Sequence, residues 1–274
     1  MRLLLGSLVA ELNGIDFSLD DEETKLARFV TEKAADFVID ATVGDVPPSE
    51  WGPIQYFPPE VDGARRRVRF GRTGCSAVVD LERRHVSMEL IGPWPLQLDV
   101  LLVNVTQVMA PELRRGVVFH ASSAVGEGLA AVFAGHSGAG KTTAGTLARL
   151  AGAELISEEL TYVALESDGA RLCALPFHQK FKLAAPDPGT YPLRAFYAIQ
   201  QDERDEIEAL PRNEWVRQLL AYAVVALRER VFAVPVLEVC EALAERVPVR
   251  RLHFRKTPAF WQVVTDDLGA TGAS

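Results

Sequence analysis

Cysteine is scarce in this 274-residue chain: Cys75, Cys173 and Cys240 lie far apart, and no CxxC pair occurs. An odd number at that spacing excludes a disulfide framework or a thiol zinc site, and reads as three reduced core thiols in a cytosolic protein. Basic charge is in deficit too. Lys and Arg total 29 against 37 acidic residues, a net charge of −8. Phosphate backbones reward clustered cations, so a general nucleic-acid binder is excluded. The clusters Arg65-Arg66-Arg67 and Arg250-Arg251 are short and read as solvated faces. No run approaches the roughly 18 apolar residues that span a bilayer, so no membrane partner is expected. There is no internal repeat and no low-complexity tract. The opening MRLLLGSLVAEL imitates a secretory leader, but its apolar run is brief and its positive region is one arginine. A first β-strand and a cytoplasmic location are expected instead.

What is present is enough for a core. Apolar residues make up 48% of the chain, and its length suits one large domain or two small ones. Up to about residue 92 the pattern is mostly strands: ADFVIDATV, RRVRF, and the pair CSAVVD and HVSMEL flanking LERR. VPPSEWGPIQYFPPEVDG carries too many prolines for a regular element and is expected as a surface loop. PLQLDVLLVNVTQVMAPEL repeats its apolar residues at helical spacing and is expected as a buried helix stopping near Pro111. Farther on, LTYVAL and RLCALP flank the turn ESDG. RAFYAI and EIEAL flank the acidic QQDERD as an expected hairpin. NEWVRQLLAYAVVALRERV and PVLEVCEALAERV are helical and amphipathic, PVRRLHF is a closing strand, and GATGAS is a frayed tail.

The centre carries chemistry. VVFHASSAV and LAAVFA are separated by Gly126-Glu127-Gly128, a hairpin signal. The second strand feeds AGHSGAGKTT, in which Gly135, Gly140, Lys141 and Thr142 fit the GxxxxGK[ST] phosphate loop. KTTAGTLARLAG follows with helical periodicity and Gly152 as its stop. Strand, glycine loop and helix thus occur in the order that a phosphate cradle needs. Gly135, Ser137, Gly138, Ala139, Gly140, Lys141, Thr142 and Thr143 are the expected nucleotide contacts. Lysine reaches the β and γ phosphates, and the threonine hydroxyl can ligate magnesium.

Two features flank this loop. With the hairpin centred on Glu127, His120 stands beside Ala134, level with the loop mouth. A half-buried strand histidine satisfied by a carbonyl is the bland alternative. Glu158 and Glu159 leave the strand AELIS, and ligand crevices of α/β sheets lie outside the carboxyl ends of strands. One carboxylate could hold magnesium while its neighbour accepts a proton from an attacking hydroxyl. An acidic turn in solvent is the alternative.

His120, GHSGAGKT and the acids of ELISEEL together resemble the catalytic domain of HPr kinase/phosphorylase and the related serine kinases of bacterial peptide-modification gene clusters. That domain is a cousin of ATP-dependent phosphoenolpyruvate carboxykinase. Twenty-one residues separate His120 from Lys141 and seventeen separate Lys141 from Glu158, the register of that family. The likeness covers residues 117 to about 165 well, and PLRAFYAIQQDERDEIEAL and VPVRRLHFRKTPAFW more weakly. It implies an α/β fold with a P-loop, phosphoenolpyruvate-carboxykinase-like mixed sheet, a β-rich N-terminal lead-in over 1–112, a kinase core over 113–268 and a flexible tail over 269–274. It implies ATP and Mg²⁺, with Glu158 as base steered by His120, and Thr142 and Glu159 on the metal. The implied acceptor is a Ser/Thr hydroxyl of a peptide or small protein. Two departures stand out. The family has Asp-Asp where this chain has Glu-Glu, each carboxylate moved outward by one methylene, about 1.5 Å. The family's later loop rich in Pro, Gly, Arg and Asn is missing, so HPr itself is not the expected acceptor.

The Glu-Glu departure also motivates a second class, a nucleotide-binding regulator or degenerate kinase without turnover. A small-molecule kinase is the third reading. The absence of an LSGGQ-type signature and of NKxD counts against transporter ATPases and GTPases. His178, Lys180 and Lys182 read as an exposed edge strand or as acceptor contacts, and Arg194 as a surface ion pair or an arginine finger. His136, at a variable position of the loop, carries no assigned chemistry. Oligomeric state, a homo-oligomer included, is not legible in the sequence.

Overall fold

The computed structural model describes residues 1–15, 26–44, 55–91, 94–176, 187–224 and 230–271. His178, Lys180 and Lys182 lie outside the described residues, as do 46–54 of the proline-rich stretch and the last three residues. Two sheets, each with parallel and antiparallel neighbours, and five α-helices make up the described fold.

The first sheet has seven strands: β1 (Arg2–Leu5), β2 (Leu8–Asn13), β3 (Phe37–Gly44), β4 (Tyr56–Asp62), β5 (Arg67–Arg72), β6 (Cys75–Asp80) and β7 (His85–Ile91). They are ordered β1-β2-β3-β7-β6-β5-β4. The opening segment, expected as one strand, is a hairpin: Gly6 at φ +70° turns the chain so that Leu5 faces Leu8. The second half of the proline-rich stretch is β4, not a loop. Proline cannot donate to a ladder, and β4 accommodates Pro58 and Pro59 as an edge strand with a register shift between Phe57 and Glu60. Helix α1 (Trp94–Glu112) ends one residue past Pro111, near the stop its pattern predicts. Leu98, Leu101, Leu102, Val105 and Met109 recur at helical spacing and are fully buried, in one cluster with the inward residues of β5, β6 and β7.

The second sheet contains β8 (Gly116–Gly126), β9 (Leu129–Ala134), β10 (Glu154–Ser157), β11 (Leu160–Glu166), β12 (Gly169–Cys173), β13 (Thr190–Gln201), β14 (Glu206–Ala209) and β15 (Val249–Phe254). Both β8 and β13 are long enough to serve three ladders each. Residues 116–120 of β8 pair with β11 and 121–126 with β9, while β13 pairs first with β12 and then with β9. Strands β8, β11, β12, β13 and β9 therefore close a circuit, and β15, β14 and β10 extend it.

Side chains alternate across this sheet and fill two layers. Val132, Phe196 and Val249 point to a cluster with α3 (Arg212–Tyr222) and α4 (Arg230–Arg246). Phe133, Tyr197 and Leu252 point the other way, to α2 (Lys141–Leu150) and α5 (Phe260–Thr271). Buried aromatics on that side, each worth about 1.5–3 kcal/mol on burial, fix α5 by ring contacts such as Phe133–Trp261 at 6.2 Å. Gly269, Ala270 and Thr271 belong to α5 rather than to a frayed tail.

Two expectations from local pattern fail here. The strands β13 and β14 do not form a hairpin, because β15 lies between them, parallel to β13 and antiparallel to β14. The acidic connection is tied to the end of β15 instead: His253 Nδ1 lies 2.9 Å from Asp202 Oδ2, and the Arg255 N–H donates to Asp205 Oδ1 at 2.7 Å. The helical run expected over residues 213–231 also breaks. Ala223 is extended, bridges to Phe119, and is followed by Val224, whose N–H donates to the Val118 carbonyl at 2.8 Å.

Candidate functional site

The glycine loop joins β9 to α2, and its glycines stand where a side chain is disfavoured by backbone conformation or by close contact. Gly138 stands at φ +82° and Gly140 at φ +98°, a left-handed backbone that a Cβ disfavours. A Cβ on Gly135 would lie 2.7 Å from the Ala139 methyl. Gly140 caps α2 without a side-chain hydrogen bond, leaving first-turn N–H groups directed at the loop's hollow. Lys141 is buried at 9% exposure, and its Nζ donates to the carbonyls of Gly135 at 2.9 Å and His136 at 3.1 Å.

The hairpin register differs by one residue from the expected one. Gly126 pairs with Leu129, so Glu127 and Gly128, at φ 52° and 78°, form a two-residue turn of the I′ kind. Ala121, not His120, therefore faces Ala134. His120 pairs with Leu160 of β11 instead and is exposed. It reaches the loop mouth by a different route, as one wall of the same cavity as Lys141.

That route runs along the edge of β8 that faces away from β9. Strand β10 pairs with residues 123–125 of β8 and β11 with residues 116–120, so the turn between them, carrying Glu158 and Glu159, lies alongside Ala121 and Ser122. Buried hydroxyls lock it there. Ser157 Oγ donates to the Leu160 carbonyl at 2.7 Å and closes the turn. The Ala121 N–H donates to the Glu159 carbonyl at 3.0 Å, and Thr161 Oγ1 donates back to the Ala121 carbonyl at 2.9 Å. The next residue, Ser122, donates to the Lys141 carbonyl at 2.6 Å. The acid turn and the loop helix are thus fastened to adjacent residues of one strand.

The result is a cavity of about 340 Å³. His120, Glu158 and Glu159 stand on its walls together with Ser137, Gly138, Gly140, Lys141, Thr142 and Thr143. Glu158 is buried at 5% exposure and Glu159 half-buried. Gly135 and Ala139 are not among its lining residues; Ala139 borders a neighbouring cavity. Arg194 sits at a bulge of β13 and does not line the cavity. The sequence reading missed Gln201, whose Nε2 lies 3.4 Å from the Gly138 carbonyl, and Ser122. Neither has a local motif; both are brought in by strand pairing.

The chemistry of the walls suits a phosphate chain with a hard cation. Among the described residues, no group of three or more His, Cys, Asp and Glu side chains forms a metal site by itself. The Thr142 hydroxyl and the carboxylates of Glu158 and Glu159, on the same walls as the glycine loop, are donors of the kind that Mg²⁺ takes when phosphate oxygens and water complete its shell.

No family model matches this chain, and no curated protein does. Among solved structures, the HPr(Ser) kinase/phosphatase from Coxiella burnetii superposes with a TM-score of 0.32 at 9% identity, over 57% of this chain and 99% of that one. This is a distant structural neighbour.

Proposed function

We propose that the chain is a kinase that moves the γ-phosphoryl group of ATP to a serine or threonine hydroxyl of a peptide or small protein. The observation that carries this reading is the fastening of the acid turn and the loop helix to Ala121 and Ser122, with an imidazole and two carboxylates lining the same cavity as the glycine loop. A cradle alone supports nucleotide binding; acids and an imidazole beside it support transfer.

In this reading the Lys141 amine exchanges the carbonyls of Gly135 and His136 for β- and γ-phosphate oxygens, and the N–H groups from Gly138 to Thr143 hold the rest of the chain. Glu158 takes the proton of the acceptor hydroxyl as that oxygen bonds to the γ-phosphorus and the bond to the β–γ bridging oxygen breaks, releasing ADP. His120 orients the base and the acceptor. Thr142 and Glu159 would hold magnesium, which would supply charge neutralisation at the phosphate oxygens. The strands β10-β8-β9-β13-β15-β14 would then be a phosphoenolpyruvate-carboxykinase-like sheet within a core over 113–268, with 1–112 packed on it.

Radiolabelled ATP, magnesium and a panel of Ser/Thr peptides test the reading. Label transfer is expected for the wild type. Glu158→Gln is expected to lose about 10²–10⁴-fold in transfer rate with ATP affinity retained. Tight Mg-ATP binding by wild type with no transfer to any hydroxyl would assign a nucleotide-dependent binding protein instead, and transfer to metabolites alone a small-molecule kinase.

A further inference from the structure

If a nucleoside triphosphate lies in the glycine loop, as proposed above, its nucleoside end needs a place of its own. Phosphoryl transfer keeps the attacking and leaving oxygens roughly in line through phosphorus. An acceptor on the Glu158 side therefore sends the departing diphosphate, and the nucleoside joined to it, away from the acids. A second cavity of about 500 Å³ meets that requirement. It shares Ser137, Gly138 and Gln201 with the first, so one molecule can reach both, yet His120, Glu158 and Glu159 are not on its walls.

Its chemistry suits a neutral planar group. Gln200, Gln201 and Gln218 each bring an amide that donates and accepts. Tyr222 brings a half-buried ring, held edge-to-face with His136 at 5.7 Å and stacked with Phe196 at 6.5 Å between centroids. No acidic side chain is among the described residues that line it. An anionic effector is a poorer fit, because Arg251, the cavity's guanidinium, already donates to Glu208 Oε2 at 3.1 Å. We propose that this cavity holds the nucleoside end of the phosphoryl donor, its base against Tyr222 and its hydrogen-bonding edge toward the glutamine amides.

Calorimetric titration of the full chain with Mg-ATP and, separately, with magnesium tripolyphosphate tests this. Wild type is expected to bind ATP more tightly. Gln218→Glu and Tyr222→Ala are each expected to weaken ATP by about tenfold or more, the scale of losing one stacking or edge partner of a base, with tripolyphosphate affinity unchanged. Tyr222→Phe keeps the ring and is expected to keep the affinity. Equal weakening of both ligands, unchanged ATP affinity in both variants, or wild type binding tripolyphosphate as tightly as ATP would overturn the assignment while leaving the phosphate cradle intact. A higher KM for a peptide acceptor with ATP affinity intact would give the cavity to the acceptor and likewise overturn it. Wild type binding neither ligand removes the cradle reading itself, and this assignment with it.

Discussion

At Gly140 a methyl group would meet the Gln201 amide at 2.6 Å and the Phe254 ring at 3.1 Å, on a backbone already at φ +98°. Gly140→Ala is expected to cost about 1–2 kcal/mol in backbone conformation alone and to displace Gln201 from the loop. Loss of ATP binding by calorimetry and a lower melting temperature would report the two effects. Gly138 also has positive φ, but open space surrounds its missing Cβ, so strain there comes without a clash. The three cysteines make a second residue-scale case. All are buried, and burial pushes the thiols of Cys173 and Cys240 up to about 12. A raised value keeps a thiol protonated at mildly alkaline pH, and the thiolate is the reactive form. Iodoacetamide is therefore expected to leave these two unlabelled in the folded chain and to label them in denaturant, followed by mass spectrometry. The loop's residue types were legible because a phosphate cradle is local, its glycines, lysine and threonine being contiguous. Gln201 was not, because it meets Gly138 only through the parallel pairing of β13 with β9.

Among elements, the β8–β9 hairpin decides more than its length suggests. A one-residue difference in register moves every side chain to the other face, and it exchanged His120 for Ala121 opposite Ala134. The turn residues explain the observed register. Glu127 and Gly128 both adopt positive φ, as a two-residue I′ turn requires, whereas a three-residue loop centred on Glu127 would use Gly126 as well. Glutamate is a poor choice for that conformation. Glu127→Asn is expected to stabilise the chain by about 0.5 kcal/mol, seen as a higher urea midpoint with an unchanged slope. The β13–β14 pairing was misread for a related reason: local sequence reports that two strands are near in the chain, but not that a third strand, β15, with buried Val249, Leu252 and Phe254, fits between them.

Across the whole molecule, the seven-stranded sheet and the loop-bearing sheet share a core. Val118, Tyr162, Ala164 and Cys173 belong to the same buried cluster as Leu5, Val86 and Leu101. The Tyr162 hydroxyl lies 2.8 Å from Ser7 Oγ, and Gly6 approaches the Tyr162 ring so closely that a Cβ would stand 2.4 Å from it. A continuous core couples the two sheets, and the chain is expected to unfold as a unit. Scanning calorimetry is expected to give one transition whose van't Hoff and calorimetric enthalpies agree; two resolved transitions would make residues 1–112 an independent domain.

Composition, the order of strand, glycine loop and helix, and the helical spacing of α1 were settled by the sequence alone, because each depends on neighbours within a few residues or on totals. The face His120 presents, the place of Glu158 and Glu159 alongside β8, and the arrival of Gln201 and Ser122 beside the loop were decided only in three dimensions. Their cause is ladder pairing between segments far apart in the chain, where one residue of slip or one inserted strand redirects a side chain without leaving a mark on local pattern.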